Sequence, residues 1–309
     1  MKAVFLDRGS FPASIQFNYP EGLSSIKEYP STQEEQTLNR VKDCHIILVN
    51  KVKLSAGILS QCPNLKLILV TATGTNNIDH EYCQANNIQV KNVSGYSINS
   101  VPEHTFSLLL ALKRNLISYR NAVQNEDWSK SEHFCFHDYP ISDLAGSNLV
   151  IFGKGALGNQ VATIAKAFGM NTVFSERKGA TTVRDGYLAF DDAIAMADVI
   201  SFHCPLTADN INMIDADAFA KMKKNCVLIN TGRGGLVDEV ALRDAILTKQ
   251  IAGAGFDVAS IEPMPSDHLL QSLSKEPNFI LTPHVAWASH DSMQTLANTS
   301  MQQLTDFLS

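Results

Sequence analysis

Gly153, Gly155 and Gly158 stand at G-x-G-x-x-G spacing between two runs of different character. Before them, Leu149-Val150-Ile151-Phe152 is too short for a helix and reads as a buried parallel strand. After them, Val161, Ile164, Ala165 and Phe168 recur at helical period until Gly169 stops the helix. Such a turn can cradle a pyrophosphate. The first glycine allows the tight turn, the second lets backbone approach the phosphates, and the third lets helix pack on strand. The helix N-terminus adds free N–H groups and the positive end of a dipole. A second strand, Thr172-Val173-Phe174, ends in Glu176 about 20 residues on, where a dinucleotide's ribose needs an acid. His133, Cys135 and His137 alternate as metal ligands can, but no second ligand cluster accompanies them. They read as the packing of an irregular loop, and no metal is expected.

Four later apolar runs end in polar or charged residues. Val199–Phe202 leads into His203-Cys204-Pro205, Cys226–Asn230 into Thr231-Gly232-Arg233-Gly234-Gly235, Ala252–Phe256 into Asp257, and Phe279–Leu281 into Thr282-Pro283-His284. Ligands of open parallel sheets sit beyond the carboxyl ends of strands, so these are candidate site residues. Residues 1–96 show the same alternation on a smaller scale, with strands at Ala3–Leu6, Cys44–Val49, Leu65–Val70 and Ile88–Val90. The third runs into Thr71–Asn77, a candidate substrate wall. Ser94–Ser97 reads as a hinge, and Ser100 as the N-cap of a helix reaching towards Arg120. The final helix, 289–309, is expected to return to the first domain. The organisation expected is therefore a discontinuous domain of residues 1–96 plus 289–309 and a second of residues 97–288. Both are doubly wound, Rossmann-like or flavodoxin-like α/β domains.

Composition narrows the class. Hydrophobic residues at 45% and charged residues at 18% describe an ordinary globular chain with ample core. A net charge of −6 and the lack of a basic stripe argue against nucleic acid as partner. The longest apolar stretch, Phe106–Leu112, is too short to span a bilayer, and the first residues read as a strand. The six cysteines show no C-x-x-C pair, which suits reduced thiols in a cytoplasm.

At the strand ends the chain resembles the D-isomer-specific 2-hydroxyacid dehydrogenases over nearly its whole length. The matching segments are ATGTNNID (72–79), GKGALG (153–158), HCPLT (203–207), KKNCVLINTGRGGLVDEVAL (223–242), GFDVASIEP (255–263) and TPHVAWAS (282–289). Within the family the glycerate dehydrogenase (hydroxypyruvate reductase) branch is most similar, on Ala286-Trp287-Ala288-Ser289, Glu176–Gly179 and the residues after Glu262-Pro263.

The resemblance implies an active site in an interdomain cleft, a homodimer, and hydride transfer between a nicotinamide and a small D-2-hydroxy acid or 2-oxo acid. D-glycerate and hydroxypyruvate are the expected pair. Glyoxylate, phosphoglycerate and other 2-hydroxy acids are the alternatives, and an NAD-sensing corepressor is the remote one. Arg233 would hold the substrate carboxylate, its planar fork being always charged. His284 would move the proton, since imidazole titrates near neutrality, and Glu262 would orient it. Gly153, Gly155, Ala156, Leu157 and Gly158 would cradle the pyrophosphate. Cys204, Pro205, Thr231, Arg233, Asp257 and His284 would line the rest of the cofactor. Glu176 would take the ribose hydroxyls and favour NAD, although Arg177 beside it could accept the phosphate of NADP. Thr73, Gly74 and Thr75 would offer amides to the substrate carboxylate, and Trp287 would wall the substrate pocket.

Overall fold

Runs of four or five buried apolar residues form the strands of two parallel sheets in the computed structural model, which describes residues 1–309. The chain divides into two units, residues 1–97 with 288–309 and residues 98–287. The first unit holds strands β1 (Lys2–Phe5), β2 (Ser25–Glu28), β3 (Ile46–Val49), β4 (Leu67–Val70) and β5 (Gln89–Asn92), in the order β2-β1-β3-β4-β5. Helices α1 (Glu34–Val41), α2 (Ala56–Leu59) and α3 (His80–Ala85) lie between them in sequence. Strands β3 and β4 are buried at every residue, as expected of strands covered on both faces. One face packs Val4, Ile47, Val49, Ile68 and Val70 in a common core. Phe5, which points the other way, meets Phe11 and Phe17.

The second unit begins with α4 (Ser100–Lys113) and α5 (Leu116–Gln124). Strand β6 (Asn148–Phe152), α6 (Ala156–Ala167), β7 (Asn171–Ser175), β8 (Tyr187–Leu188), α7 (Phe190–Met196) and β9 (Val199–Phe202) follow. Helix α8 (Ala216–Lys221), β10 (Val227–Asn230), α9 (Glu239–Leu247), β11 (Gly253–Phe256), α10 (Leu269–Leu273) and β12 (Phe279–Leu281) complete it. The seven strands are ordered β12-β11-β10-β9-β6-β7-β8. Alternate residues feed two cores. Val150, Phe152, Ile200, Phe202 and Leu228 face one side, and Leu149, Ile151, Val199, Val227 and Ile229 the other. Glycines in β11 let α4 settle close, since a Cβ on Gly255 would stand 3.0 Å from Leu108 Cβ.

The expected class, two doubly wound parallel α/β domains, is the one found. Four details differ from the sequence reading. Strand β2 was not anticipated, because Ser25–Glu28 is an exposed, mostly polar edge strand. Two-residue β8 was too short to carry a pattern. The helix expected to run from Ser100 to Arg120 breaks at Asn115, whose φ is +48°, and α5 starts afresh. Ser100 is also not the N-cap; Asn99 occupies that position, and the Ser100 hydroxyl donates to Ala286 O at 2.6 Å. The last helix, α11 (His290–Leu308), belongs to the first unit, where Gln303 Nε2 donates to Asn92 O at 3.0 Å.

Candidate active site

The order of the seven-stranded sheet reverses between β6 and β9, which makes a crevice beyond their carboxyl ends. There Gly153, at φ +104°, sits so close to the chain leaving β9 that a Cβ on it would lie 2.5 Å from His203 O. A Cβ on Gly158 would lie 1.9 Å from Gly153 O. Both glycines are therefore demanded by the fold itself. Gly155 is different, because the space a Cβ would take is empty. It is the N-cap of α6 and supplies no capping side chain, so the amides opening the helix at Ala156 and Leu157 are left for a ligand. Open space at the second glycine and uncapped helix amides fit a pyrophosphate.

At the end of β7 the carboxylate of Glu176 is buried and fully engaged. Arg184 donates to it from Nε at 2.6 Å and from Nη2 at 3.0 Å, and the N–H groups of Arg184 and Arg177 add bonds at 3.0 and 3.3 Å. The Arg184 hydrogen bonds hold the carboxyl down to about 2. A cavity of about 470 Å³ opens beside it, lined by Arg177, Lys178, Thr181, Thr182 and Arg184 among others. Arg184 was not singled out from sequence. It lies in a Gly- and Thr-rich loop whose return onto Glu176 has no periodic signal.

Three neighbouring strand ends hold the candidate acid–base residues. Beyond β10, the buried Asn230 accepts from Gly232 N at 3.0 Å and donates to Arg233 O at 2.8 Å, which sets the turn carrying Arg233. The guanidinium makes a 2.8 Å bond to Gly232 O and enters none of the chain's ion pairs, so its charge is uncommitted. Gly234, next in sequence, packs on the segment beyond β11, where a Cβ would meet Ala259 C at 2.1 Å. That segment carries Glu262. One carboxylate oxygen accepts from Ala259 N at 3.0 Å, and the other lies 2.6 Å from His284 Nδ1. With Nδ1–H given to the carboxylate, Nε2 is the nitrogen left for a substrate oxygen.

His284 itself has φ +56°, a conformation costing an L-residue about 1 kcal/mol or more. Asp257, at the end of β11, holds that turn in place. It accepts from Val285 N at 2.9 Å, Ala286 N at 2.8 Å and the Thr282 hydroxyl at 2.6 Å, with His104 Nε2 at 3.6 Å. Its side chain has no exposed surface, so in this structure Asp257 acts on the loop that bears the histidine. Thr231 is buried, its hydroxyl 3.1 Å from that of Thr105. Cys204 is half-buried, and burial pushes its thiol up to about 11, which keeps it neutral. Pro205 follows it, with its carbonyl accepting from Asn210 Nδ2 at 2.9 Å. Trp287, three residues past His284, is half-buried. In the first unit, Thr73, Gly74 and Thr75 follow β4, and the Thr73 hydroxyl donates to Val93 O at 3.0 Å. No group of three His, Cys, Asp or Glu side chains is close enough to hold a metal ion.

Residues 106–286 match the model of the D-isomer-specific 2-hydroxyacid dehydrogenase NAD-binding domain. A glycerate dehydrogenase of Methylorubrum extorquens is 44% identical over 99% of this chain and 96% of its own. The chain belongs to the D-isomer-specific 2-hydroxyacid dehydrogenases. A hydroxypyruvate reductase of Blautia hydrogenotrophica is 31% identical over 100% of this chain and 97% of its own. Among solved structures, the D-lactate dehydrogenase of Aquifex aeolicus, complexed with NAD and lactic acid, superposes with a TM-score of 0.83 at 28% identity, covering 99% of this chain and 95% of that one. As a D-2-hydroxyacid dehydrogenase, the protein is an NAD-dependent oxidoreductase. No helix in it is long and apolar enough to cross a membrane.

Proposed function

We propose that the protein reduces hydroxypyruvate to D-glycerate with NADH, and runs the reverse oxidation with NAD. The observation that carries the mechanism is the 2.6 Å His284–Glu262 pair, whose glutamate sits on a loop packed against the Arg233 segment. Likeness to the glycerate dehydrogenase of Methylorubrum extorquens supports the choice of substrate. Arg233, free of internal ion pairs, binds the substrate carboxylate through its two-pronged guanidinium. The protonated His284 donates from Nε2 to the carbonyl oxygen while Glu262 holds Nδ1–H and stabilises the imidazolium. The nicotinamide supplies the hydride when bound. Afterwards the neutral imidazole regains a proton from solvent; in oxidation it accepts one from the hydroxyl. Trp287 acts as a wall that limits the size of the substrate tail.

The test is the loss of reduced-nicotinamide absorbance with hydroxypyruvate, glyoxylate, pyruvate and phosphohydroxypyruvate, each with NADH and NADPH. Hydroxypyruvate should be fastest. His284→Ala should remove turnover and keep NADH binding, Arg233→Ala should act mainly on substrate affinity, and Trp287→Ala should admit bulkier 2-oxo acids. A faster reaction with one of the other acids would reassign the substrate. Silence on all four with NADH still bound would favour a nucleotide-sensing role.

The protein is further proposed to be a cytoplasmic homodimer. Its six free thiols support a reducing compartment. Leu116, Ile117, Val123, Trp128, Phe134 and Ile141 expose apolar side chains along α5 and the loop after it, which supports a second copy as their cover. Light scattering on the assay preparation should give twice the chain mass of 33.8 kDa, and a monomer would refute the dimer.

A further inference from the structure

A second group of polar side chains lies behind the Glu262–His284 pair. Glu239 opens α9, one short 3-10 turn after Arg233. Its Oε1 accepts the N–H of Ser260 at 2.8 Å, and its Oε2 accepts the Ser260 hydroxyl at 2.8 Å. His268, the N-cap of α10, accepts the Leu270 N–H at Nδ1, so its own proton sits on Nε2. That nitrogen lies 3.3 Å from both Glu239 Oε2 and Ser260 Oγ. The His268 and Glu239 side chains are only 9% and 11% exposed. Neither has a place in the hydride-transfer chemistry.

The loop these residues hold has no secondary structure, and its Ile261 is 57% exposed. Two adjacent amides in it are bound by two different glutamates, Ala259 N by Glu262 and Ser260 N by Glu239. Glu262 is thus held by a loop that is itself held from the Arg233 side. The two oxygens of the Glu239 carboxylate accept at once from the N–H and the O–H of one serine. We propose that Glu239, Ser260 and His268 are positioning residues that tie the Arg233 segment to the Glu262 loop, keeping substrate-carboxylate binding and proton transfer in register. The inference rests on His284 being the proton donor. The groups facing His284 are Glu262 and, through the amides of the next two residues, Asp257 with His104 beside it. The group facing His268 is Glu239.

The experiment is NMR of the hydrogen-bonded His284 Nδ1 proton in the ligand-free protein, together with kcat and KM for reduction. Loss of the tie lets Glu262 drift, so the hydrogen bond between His284 Nδ1–H and Glu262 weakens. In Glu239→Ala the His284 Nδ1 proton signal should move upfield or be lost to exchange with water. There kcat should fall about tenfold or more, and KM for the 2-oxo acid should rise. NADH affinity should be unchanged. Ser260→Ala, which deletes one hydroxyl, should move the same quantities less, and Glu239→Gln should restore most of them. If Ser260→Ala and Glu239→Ala lower only the melting temperature and leave the Nδ1 proton signal, kcat and KM alone, the group is merely structural. Should Glu239→Ala not fold, Ser260→Ala decides. The NMR measurement needs no substrate, so a wild-type protein inactive on every 2-oxo acid would overturn the assigned reaction while the tie is still judged.

Discussion

Glu176 keeps its negative charge down to strongly acid pH because Arg184 hydrogen-bonds its carboxylate. Its pKa falls from 4.5 to about 2 on folding, so the pair's stabilisation is present above about pH 4.5 and is lost as pH falls towards 2. At neutral pH the guanidinium cancels the charge that would repel a 2′-phosphate, and Arg177 and Lys178 stand in the same cavity wall. Arg184→Ala should therefore shift the preference towards NADH by about tenfold, the worth of one charge-assisted hydrogen bond. Fluorescence titration with NADH and NADPH checks this, and an unchanged ratio of affinities would rule it out. Glu176 was legible in the sequence from its place after a strand; Arg184 was not, because folding back from a loop leaves no pattern. The same divide runs through the proposed acid–base centre. Arg233 and His284 stood out at strand ends, and Glu262 through the family resemblance. The hold of Asp257 on two amides, and of Asn230 on the Arg233 turn, depends on backbone direction, which side-chain spacing does not encode.

At the scale of elements, most strands of both sheets could be read because a fully buried parallel strand is a bare apolar run. The pattern failed at the edges, in β2 and β8, where one side of a strand is not covered by another and polar residues enter. It failed again at Asn115, because apolar residues continue on both sides of the break and asparagine adopts a left-handed conformation at small cost. The glycine turn between β6 and α6 separates stability from binding. Gly158→Ala forces a Cβ to within 1.9 Å of Gly153 O, so α6 must move. The cost should be about 1–3 kcal/mol or more, with NADH binding weakened alongside. Gly155→Ala meets no protein atom within 4 Å and should melt near the parent while NADH binding suffers. Thermal melts and NADH titrations of the two variants check this. Equal melting temperatures would mean that helix–strand contact is not what Gly158 serves.

The whole molecule rests on two units with their own cores, and the chain visits the first of them twice. Helix α11 buries Met293, Leu296, Ala297, Met301 and Leu304 as part of that first unit. Net stability in proteins of this kind is a small difference between large terms, of order 10 kcal/mol. On that scale the left-handed backbone of His284 is a visible debit, maintained by the grip of Asp257 on the following amides. Asparagine tolerates this conformation better than histidine does. His284→Asn should accordingly melt no lower than the parent while its turnover disappears, and a clear drop in melting temperature would show that the strain is not real. Heat tolerance and catalysis thus pull in opposite directions at one codon. A lineage, or a laboratory library, selected for survival at high temperature without a test of activity would discard the histidine early and keep the fold.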